Sequence, residues 1–159
     1  MKVHDIVEGT IHYPTGEYME RNILIILSMI AAMHKIIDEY YHAAKELKIL
    51  CRGSSGAIIA ALVAHNFSMN TKLKVSILHI KKEGEQSHSH NHFDMRETYL
   101  DSVVVIVDDI VCTGDTVEQI LDYGSNDTLG LYPHILCVTG DIAPSVLNNF
   151  KFEHLIKTN

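Results

Sequence analysis

The sequence has few of the residues that characterise disulfide-rich or metal-ribbon proteins. It contains no tryptophan, three prolines and three cysteines among 159 residues. Cys51, Cys112 and Cys137 are odd in number, lie far apart and form no CxxC pair. The sequence therefore indicates neither a disulfide framework nor a zinc ribbon, and we expect a reducing, cytoplasmic setting.

The sequence also lacks an apolar run of the about 20 residues that a membrane-spanning helix needs. The longest apolar stretch, Ile23 to Met33, is interrupted by Ser28 and followed by His34 and Lys35. The first residues, MKVHDIVEG, have no apolar core of the kind found in signal peptides. We expect a soluble protein with no membrane partner.

Positive charge is in deficit, with 13 lysines and arginines against 20 acidic residues and a formal net charge of -7. A general nucleic-acid binder needs a basic footprint that displaces counterions, so this balance argues against nucleic acid as a partner. Hydrophobic residues make up 47% of the chain, enough for one contiguous core. Residues 1–159 are therefore expected to form a single domain.

From residue 47 onward, short apolar runs alternate with helical patterns. Strands are predicted at Leu47–Cys51, Lys74–Ile80, Ser102–Val107 and His134–Thr139, and helices at Ala57–His65, after a glycine-serine turn, and from about Thr113 to Tyr123. The continuous branched apolar run at 103–107 is typical of a strand covered on both faces. The predicted fold class is therefore α/β, a doubly wound domain with a mainly parallel central sheet flanked by helices.

The part of the chain before residue 47 predicts a hairpin followed by a long helix. Ile6 to Tyr13, a turn at residues 14–16 and the chain from Glu17 form the hairpin pattern. The helix has one apolar face at alternating spacings of four and three, formed by Ile23, Leu27, Ile30, His34, Ile37, Tyr41 and Ala44. His34 on this face is interpreted as a core or rim histidine rather than a ligand.

The strongest chemical signal is the stretch VVVIVDDIVCTGDT at residues 103–116, where an apolar strand ends in Asp108 and Asp109. The following turn opens a helix, whose N-terminal N–H groups favour a phosphate, and Gly114 allows close approach of the backbone. Paired carboxylates accept hydrogen bonds from vicinal hydroxyls and attract a hard cation. The structural alternative is an ordinary helix cap at Asp109 or Thr113.

A second glycine-rich turn, CRGSSG at residues 51–56, also follows a predicted strand and enters a helix. Alone, a plain strand-to-helix turn would explain it, and neither a Walker A motif nor the full GxGxxG fingerprint is present. Between the two turns lies a polar stretch, Lys81–Tyr99, that includes His88, His90 and His92. Such a connection is typical of a functional flap or a solvated hairpin. Its histidines also suit adventitious Zn²⁺ or Ni²⁺.

The stretch at residues 103–116 resembles the signature of the type I phosphoribosyltransferases, in which four apolar residues, two acids and a short spacer precede Thr-Gly-x-Thr. The resemblance implies transfer of a phosphoribosyl group from 5-phosphoribosyl diphosphate (PRPP) to a nucleobase, as in nucleobase salvage, with Mg²⁺ as cofactor and pyrophosphate as product. It assigns the ribose hydroxyls and the metal to Asp108 and Asp109. It assigns the 5-phosphate to Cys112, Thr113, Gly114, Asp115 and Thr116.

The turn at residues 51–56 resembles the pyrophosphate loop of the same family. The resemblance implies that Arg52 supplies charge to the diphosphate, within a loop that also contains Cys51, Gly53, Ser54 and Ser55. The stretch 81–99 corresponds to the family's flexible loop, which closes over the diphosphate and excludes water. Its candidate cationic or proton-carrying residues are Lys81, Lys82, His88, His90, His92 and Arg96, of which Lys82 is taken as the catalytic candidate.

Three features bear on the acceptor and on turnover. Hypoxanthine-guanine enzymes carry an acid where this chain has Cys112, which favours an orotate-like or adenine-like member. Residues 1–22 distantly resemble the hood of orotate-type enzymes. The negative charge of Asp115 would weaken phosphate binding, which leaves open a non-catalytic regulator that binds PRPP or a nucleotide. A third interpretation is an interaction module whose histidine loop binds a metal or a partner. Relatives often pair, so a homodimer is expected.

Overall fold

A computed structural model describes residues 2–5, 19–80, 101–109, 111, 113–124, 134–137 and 152–158. The elements in chain order are β1 (Lys2–Asp5), α1 (Met19–Tyr40), β2 (Glu46–Arg52), α2 (Gly53–Asn70), β3 (Lys74–Ile80), β4 (Ser102–Asp108), α3 (Asp115–Gly124), β5 (His134–Cys137) and β6 (His154–Lys157). Among the residues described, no helix is both long and apolar enough to span a membrane.

The strands form one six-stranded sheet in the order β1-β6-β5-β4-β2-β3. Every neighbouring pair is parallel, which confirms the predicted α/β class. β3 lies on one side of β2, whereas β4 lies on the other side and is followed outward by β5 and β6. The direction of winding therefore reverses between β2 and β4, and the carboxyl ends of these two strands flank the reversal.

The two faces of the sheet each carry an apolar core, because successive side chains of a strand point to opposite faces. On one face, Ile49 and Val105 pack with residues of α1 and α2 such as Met29 and Phe67. On the other face, Leu50, Ile106, Val117 and Ile120 form a second cluster with α3. β4 is buried on both faces, which accounts for its continuous run of branched residues.

The strand predictions in the middle of the chain agree closely with the structure. β3 has the predicted bounds, and β2 and β4 contain the predicted strands with one or two additional residues. β5 begins at the predicted His134. α2 corrects one expectation: it begins at Gly53 rather than at Ala57, so the glycine-serine segment is the first turn of the helix and not a separate connection.

The predicted buried face of α1 was partly wrong. Ile23 and Leu27 are 44% and 48% exposed. The buried apolar residues of α1 are Ile25, Ile26, Met29, Ile30, Met33, Ile36 and Ile37. Apolar residues surround the first half of this helix, so two adjacent stripes satisfy the same spacing and the sequence pattern alone does not select between them.

The interpretation of His34 as a rim histidine is confirmed. Its half-buried ring stacks on Phe67 with the ring centroids 4.0 Å apart, and its Nε2 lies 3.2 Å from Oδ1 of Asn66. The two outer strands β1 and β6 were not predicted, and they pair with each other from opposite ends of the chain. The hairpin predicted from residue 6 to residue 17 and the stretch 81–99 lie outside the described residues.

Candidate functional site

The sequence-predicted motifs come together at the carboxyl ends of β2 and β4. Cys51 lies opposite Val107 in the sheet register, so Arg52 and Asp108 end adjacent strands. We call residues 51–56 the β2–α2 turn and residues 108–116 the β4–α3 turn. Both turns follow strands that flank the reversal of winding, where open parallel sheets bind ligands.

The β2–α2 turn passes from strand to helix without an intervening loop. Arg52 is the N-cap residue in extended conformation, and its side chain makes no capping hydrogen bond. Gly53 has a φ of 70°, a left-handed conformation that glycine adopts without steric penalty. No acidic residue lies in the first turn of α2. The N–H groups of this turn and the cationic Arg52 therefore form a place that favours an anion.

The first turn of α2 packs directly against the end of β4 at Gly56. A Cβ atom placed on Gly56 would lie 3.4 Å from the carbonyl oxygen of Val107 and 3.6 Å from Cβ of Cys51. It would also lie 4.0 Å from Oδ1 of Asp108. Gly56 thus brings the two turns within contact distance. Sequence reasoning did not single it out, although its place as the last residue of the CRGSSG turn was visible.

The acidic pair at the end of β4 consists of two carboxylates in different surroundings. Asp108 is buried, with 4% of its surface exposed, whereas Asp109 is half-buried. The backbone N–H of Asp109 donates a hydrogen bond of 2.9 Å to Oδ1 of Asp108. Asp109 therefore has the more accessible side chain of the two.

The β4–α3 turn combines a left-handed glycine with the start of a helix. Gly114 is buried with a φ of 90°, and its carbonyl accepts a hydrogen bond of 2.8 Å from the N–H of Glu118. The N–H of Asp115 donates to Oγ1 of Thr113 at 3.3 Å. Both Thr113 and Asp115 are exposed, while Thr116 is half-buried. The hydroxyl of Thr113 therefore accepts a hydrogen bond from the first residue of α3 and lies exposed beside the first turn of that helix.

Cys51 lies beneath the site rather than at its surface. Its side chain is fully buried, and Sγ lies 3.8 Å from the carbonyl oxygen of Leu78. Burial, and to a smaller extent the negative charge of Asp108, raises the pKa of the thiol to about 12. The thiol is therefore protonated at neutral pH and contributes to the packing beneath both turns.

Two predicted site residues, Cys112 and Lys82, lie outside the described residues. Within the parts of the chain that the structure describes, no group of three or more His, Cys, Asp or Glu side chains is arranged to hold a metal ion.

Comparison with protein-family models matches residues 20–126 to the phosphoribosyl transferase domain. The matched range contains α1 from its second residue onward, the strands β2, β3 and β4, both turns and α3. A search of curated proteins finds no match to the chain.

Proposed function

Because this chain belongs to the phosphoribosyltransferase family, we propose that it transfers a 5-phosphoribosyl group from PRPP to a nitrogen atom of a nucleobase and releases pyrophosphate. Membership of the family supports phosphoribosyl transfer in general, without naming the acceptor base. The observation that carries the finer proposal is the meeting of an acidic pair with two helix-opening turns at the reversal of the sheet. A sugar carrying phosphates at both ends has the groups that such a site binds.

The diphosphate of the donor belongs at the β2–α2 turn. Arg52 supplies a cation, and the N–H groups of Gly53 and Ser54 open α2 with no acidic side chain in its first turn. Hydrogen bonds from charged donors and from helix-terminal N–H groups stabilise an anion more strongly as its charge increases. Charge grows on the diphosphate as the bond to the ribose C1 breaks, so this turn stabilises the leaving group.

The ribose 5-phosphate belongs at the end of β4 and the start of α3. The acidic pair accepts hydrogen bonds from the two ring hydroxyls, while the turn from Thr113 to Thr116 holds the 5-phosphate. Holding the sugar at both ends fixes C1 relative to the incoming base, and positioning of this kind accounts for much of the rate acceleration in enzymes. The left-handed Gly114 lets the backbone approach the phosphate.

Magnesium fits the oxygen chemistry of this site. Mg²⁺ is commonly held by one or two carboxylates together with substrate phosphate oxygens and water, which matches the acidic pair and a bound diphosphate. When bound, the ion would neutralise charge on the diphosphate. The chain itself orients the ribose through the acidic pair and supplies Arg52 to the same leaving group. We further propose that Lys82, in the stretch 81–99, adds a second positive charge beside the diphosphate leaving group.

The acceptor is proposed to be an orotate-like or adenine-like base, because Cys112 stands where hypoxanthine-guanine enzymes have an acid. The hood proposed for residues 1–22 would cover that base. We also propose a cytoplasmic homodimer, as in many relatives.

A second candidate function is a non-catalytic regulator that binds PRPP or a nucleotide. One observation favours it: the first turn of α3 carries two acidic residues, Asp115 and Glu118, beside the place assigned to the 5-phosphate. Like charges near a phosphate weaken its binding. The side chain of Asp115 is exposed, so part of this repulsion is screened by water and salt.

The decisive experiment measures pyrophosphate release from PRPP and Mg²⁺ in the presence of orotate, uracil, adenine, hypoxanthine, guanine, xanthine or nicotinamide. We expect release with one base, and loss of release in the Asp108→Asn, Asp109→Asn double variant. Binding of PRPP without release for any base would favour the regulator. Absence of PRPP binding would contradict the proposed transfer reaction and a regulator that binds PRPP.

A further inference from the structure

The outer surfaces of α1 and α2 carry no charged side chain over a long part of both helices. Residues 22–34 and the whole of α2 contain no lysine, arginine, aspartate or glutamate, in a chain of which 21% is charged. At that fraction the two segments would contain about six such residues. We infer that this uncharged face, formed by the outward side chains of residues 22–34 and 53–70, is the contact between two copies of the chain. The inference rests on the homodimer of the proposed function and names its surface, and it does not depend on the transfer reaction.

α1 and α2 lie side by side on the same face of the sheet. Both helices contribute to one apolar core, whereas α3 packs on the opposite face. His34 of α1 stacks on Phe67 of α2, and its Nε2 lies 3.2 Å from Oδ1 of Asn66. These contacts make the two helices direct neighbours, so their outward side chains form one continuous surface.

Large apolar side chains project from the uncharged face into solvent. They are Ile23, Leu24 and Leu27 on α1 and Leu62 and Met69 on α2, of which Leu24 and Met69 are 65% and 71% exposed. Single exposed apolar residues are common on soluble proteins and need no explanation. A contiguous set of them with no charge in between is instead characteristic of an interaction surface.

The inward half of each helix explains only part of this composition. A helix that covers a sheet normally has charged residues on its outer half, whereas a helix that is apolar all round is covered on both sides. The exposed and half-buried outward positions of α2 recur at spacings of three and four and are Ser54, Ile58, Ala61, Leu62, His65 and Met69. The absence of lysine, arginine, aspartate and glutamate from these positions indicates that a partner covers the outer side of α2.

The charge of the chain favours a second copy as that partner. With a formal net charge of -7, two copies repel each other through their charged faces, whereas the uncharged face adds no repulsion. A two-fold contact uses the same patch on both partners and must therefore be self-complementary. An uncharged apolar surface meets this condition without pairing opposite charges. It also offers no charge pattern that would select a different protein or an anionic membrane.

The size of the uncharged face is close to what a stable dimer needs. At 1.5 Å per residue, residues 22–34 and α2 extend for about 20 Å and about 27 Å, and each helix is about 10 Å across. The flat outline of the face is therefore roughly 500 Å², and ridged side chains present more accessible surface than their outline. A stable interface buries about 800 Å² of accessible surface per partner. Residues around the rim of the face supply the remainder.

The experiment is sedimentation equilibrium of the full-length wild type and three variants over a wide range of protein concentration, without PRPP or base. We expect a wild-type mass of twice 17.9 kDa that declines toward 17.9 kDa on dilution. Leu24→Glu and Leu62→Glu each place like charges on both sides of the contact and should weaken dimerisation about hundredfold or more. The control Gln119→Glu adds the same charge at an exposed position of α3, on the opposite face of the sheet, and should leave the dimer intact.

Circular dichroism and thermal unfolding report whether each variant folds. Glutamate is a good helix former and both leucines are exposed in the single chain, so we expect the fold to be retained. If Leu62→Glu does not fold, Leu24→Glu decides. A wild type that stays monomeric at every concentration would overturn the inference, including one that binds phosphatidylcholine vesicles instead. A dimer that the folded glutamate variants leave unchanged would also overturn it. Pyrophosphate release from PRPP is measured separately, so either failure leaves the transfer reaction standing.

Discussion

At the scale of single residues, the ends of β2 and β4 show why a motif predicts chemistry better than it predicts roles. The sequence identified Arg52, Asp108 and Asp109 from their types and spacing. It did not show that Asp108 is buried and Asp109 half-buried, because that depends on where the strand ends and on what packs against its end. The strand was predicted to end at Val107, whereas it ends at Asp108, close to the first turn of α2.

The buried thiol of Cys51 predicts a specific loss of stability in alkali. Its pKa is about 12 in the folded chain against an ordinary value of 9.0, so above pH 9 the unfolded chain loses a proton that the folded chain keeps. The free energy of unfolding should therefore decline with rising pH, by up to about 1.4 kcal/mol per pH unit. Denaturant unfolding of wild type and Cys51→Ala between pH 7 and pH 10.5 checks this. Equal slopes in the two proteins would contradict it.

Gly56 predicts a sharp size limit at the contact between the two turns. Alanine would place its Cβ 3.4 Å from the carbonyl oxygen of Val107, an ordinary contact distance, and alanine favours a helix by about 1 kcal/mol over glycine. We expect Gly56→Ala to change the free energy of unfolding by less than about 1 kcal/mol. Gly56→Leu should destabilise the fold by about 2 kcal/mol or more, because the added atoms meet backbone. Similar stability of both variants in denaturant titrations would refute the limit.

At the scale of elements, the strands predicted most closely from the sequence are the neighbours β2, β3 and β4. β4 is buried on both faces and carries its signal as a run of branched apolar residues, whereas β3 is an edge strand whose side chains are mostly exposed or half-buried. β1 and β6 have four residues each and depend on pairing with each other across almost the whole chain. Local sequence patterns do not predict such a pairing. The buried face of α1 was not predicted for a related reason: its sequence allows two apolar faces, and only the elements packed against the helix determine which one is buried.

Tyr41, directly after the end of α1, contacts β5 and β6 through aromatic rings, and this contact predicts a matched pair of variants. The Tyr41 ring lies 4.8 Å from His134 at the start of β5 and 5.9 Å from His154 at the start of β6, edge to face in both cases. Tyr41→Ala should lower the free energy of unfolding by about 2 to 3 kcal/mol through lost packing. Tyr41→Phe keeps the ring and should cost at most about 1.5 kcal/mol. Chemical denaturation of both variants tests the contact, and equal losses would show that the ring contributes little.

At the scale of the whole molecule, the candidate site lies at the carboxyl ends of β2 and β4, whose side chains enter both cores. β2 contributes Ile49 to one core and Leu50 to the other, and β4 contributes Val105 and Ile106 in the same way. In open parallel sheets ligands bind beyond the carboxyl ends of the strands, and this rule was enough to predict that the two motifs lie at the same end of the sheet. The close approach of α2 to β4 at Gly56 was not predictable, because it depends on the side-chain volume on both elements.

A ligand that bridges the ends of β2 and β4 should therefore stabilise the folded chain as a whole. At one hundred times its dissociation constant, PRPP with Mg²⁺ should add about 2.7 kcal/mol to the free energy of unfolding. For a chain of this size, that corresponds to a rise in Tm of about 5 to 10 °C. Scanning calorimetry with and without the donor measures the shift, and Asp109→Asn is the control in which most of it should disappear at the same donor concentration.

Fragments of the donor separate the contributions of the two turns. Pyrophosphate should engage the β2–α2 turn alone and ribose 5-phosphate the β4–α3 turn alone, so at equal concentrations each should raise Tm by less than PRPP does. Arg52→Ala should reduce the shift with pyrophosphate and leave the shift with ribose 5-phosphate largely intact, because Arg52 lies at the first turn only. If pyrophosphate alone stabilised the wild type as much as PRPP at the same concentration, the β4–α3 turn would not hold the sugar phosphate, and the assignment of the acidic pair to the ribose would fail with it.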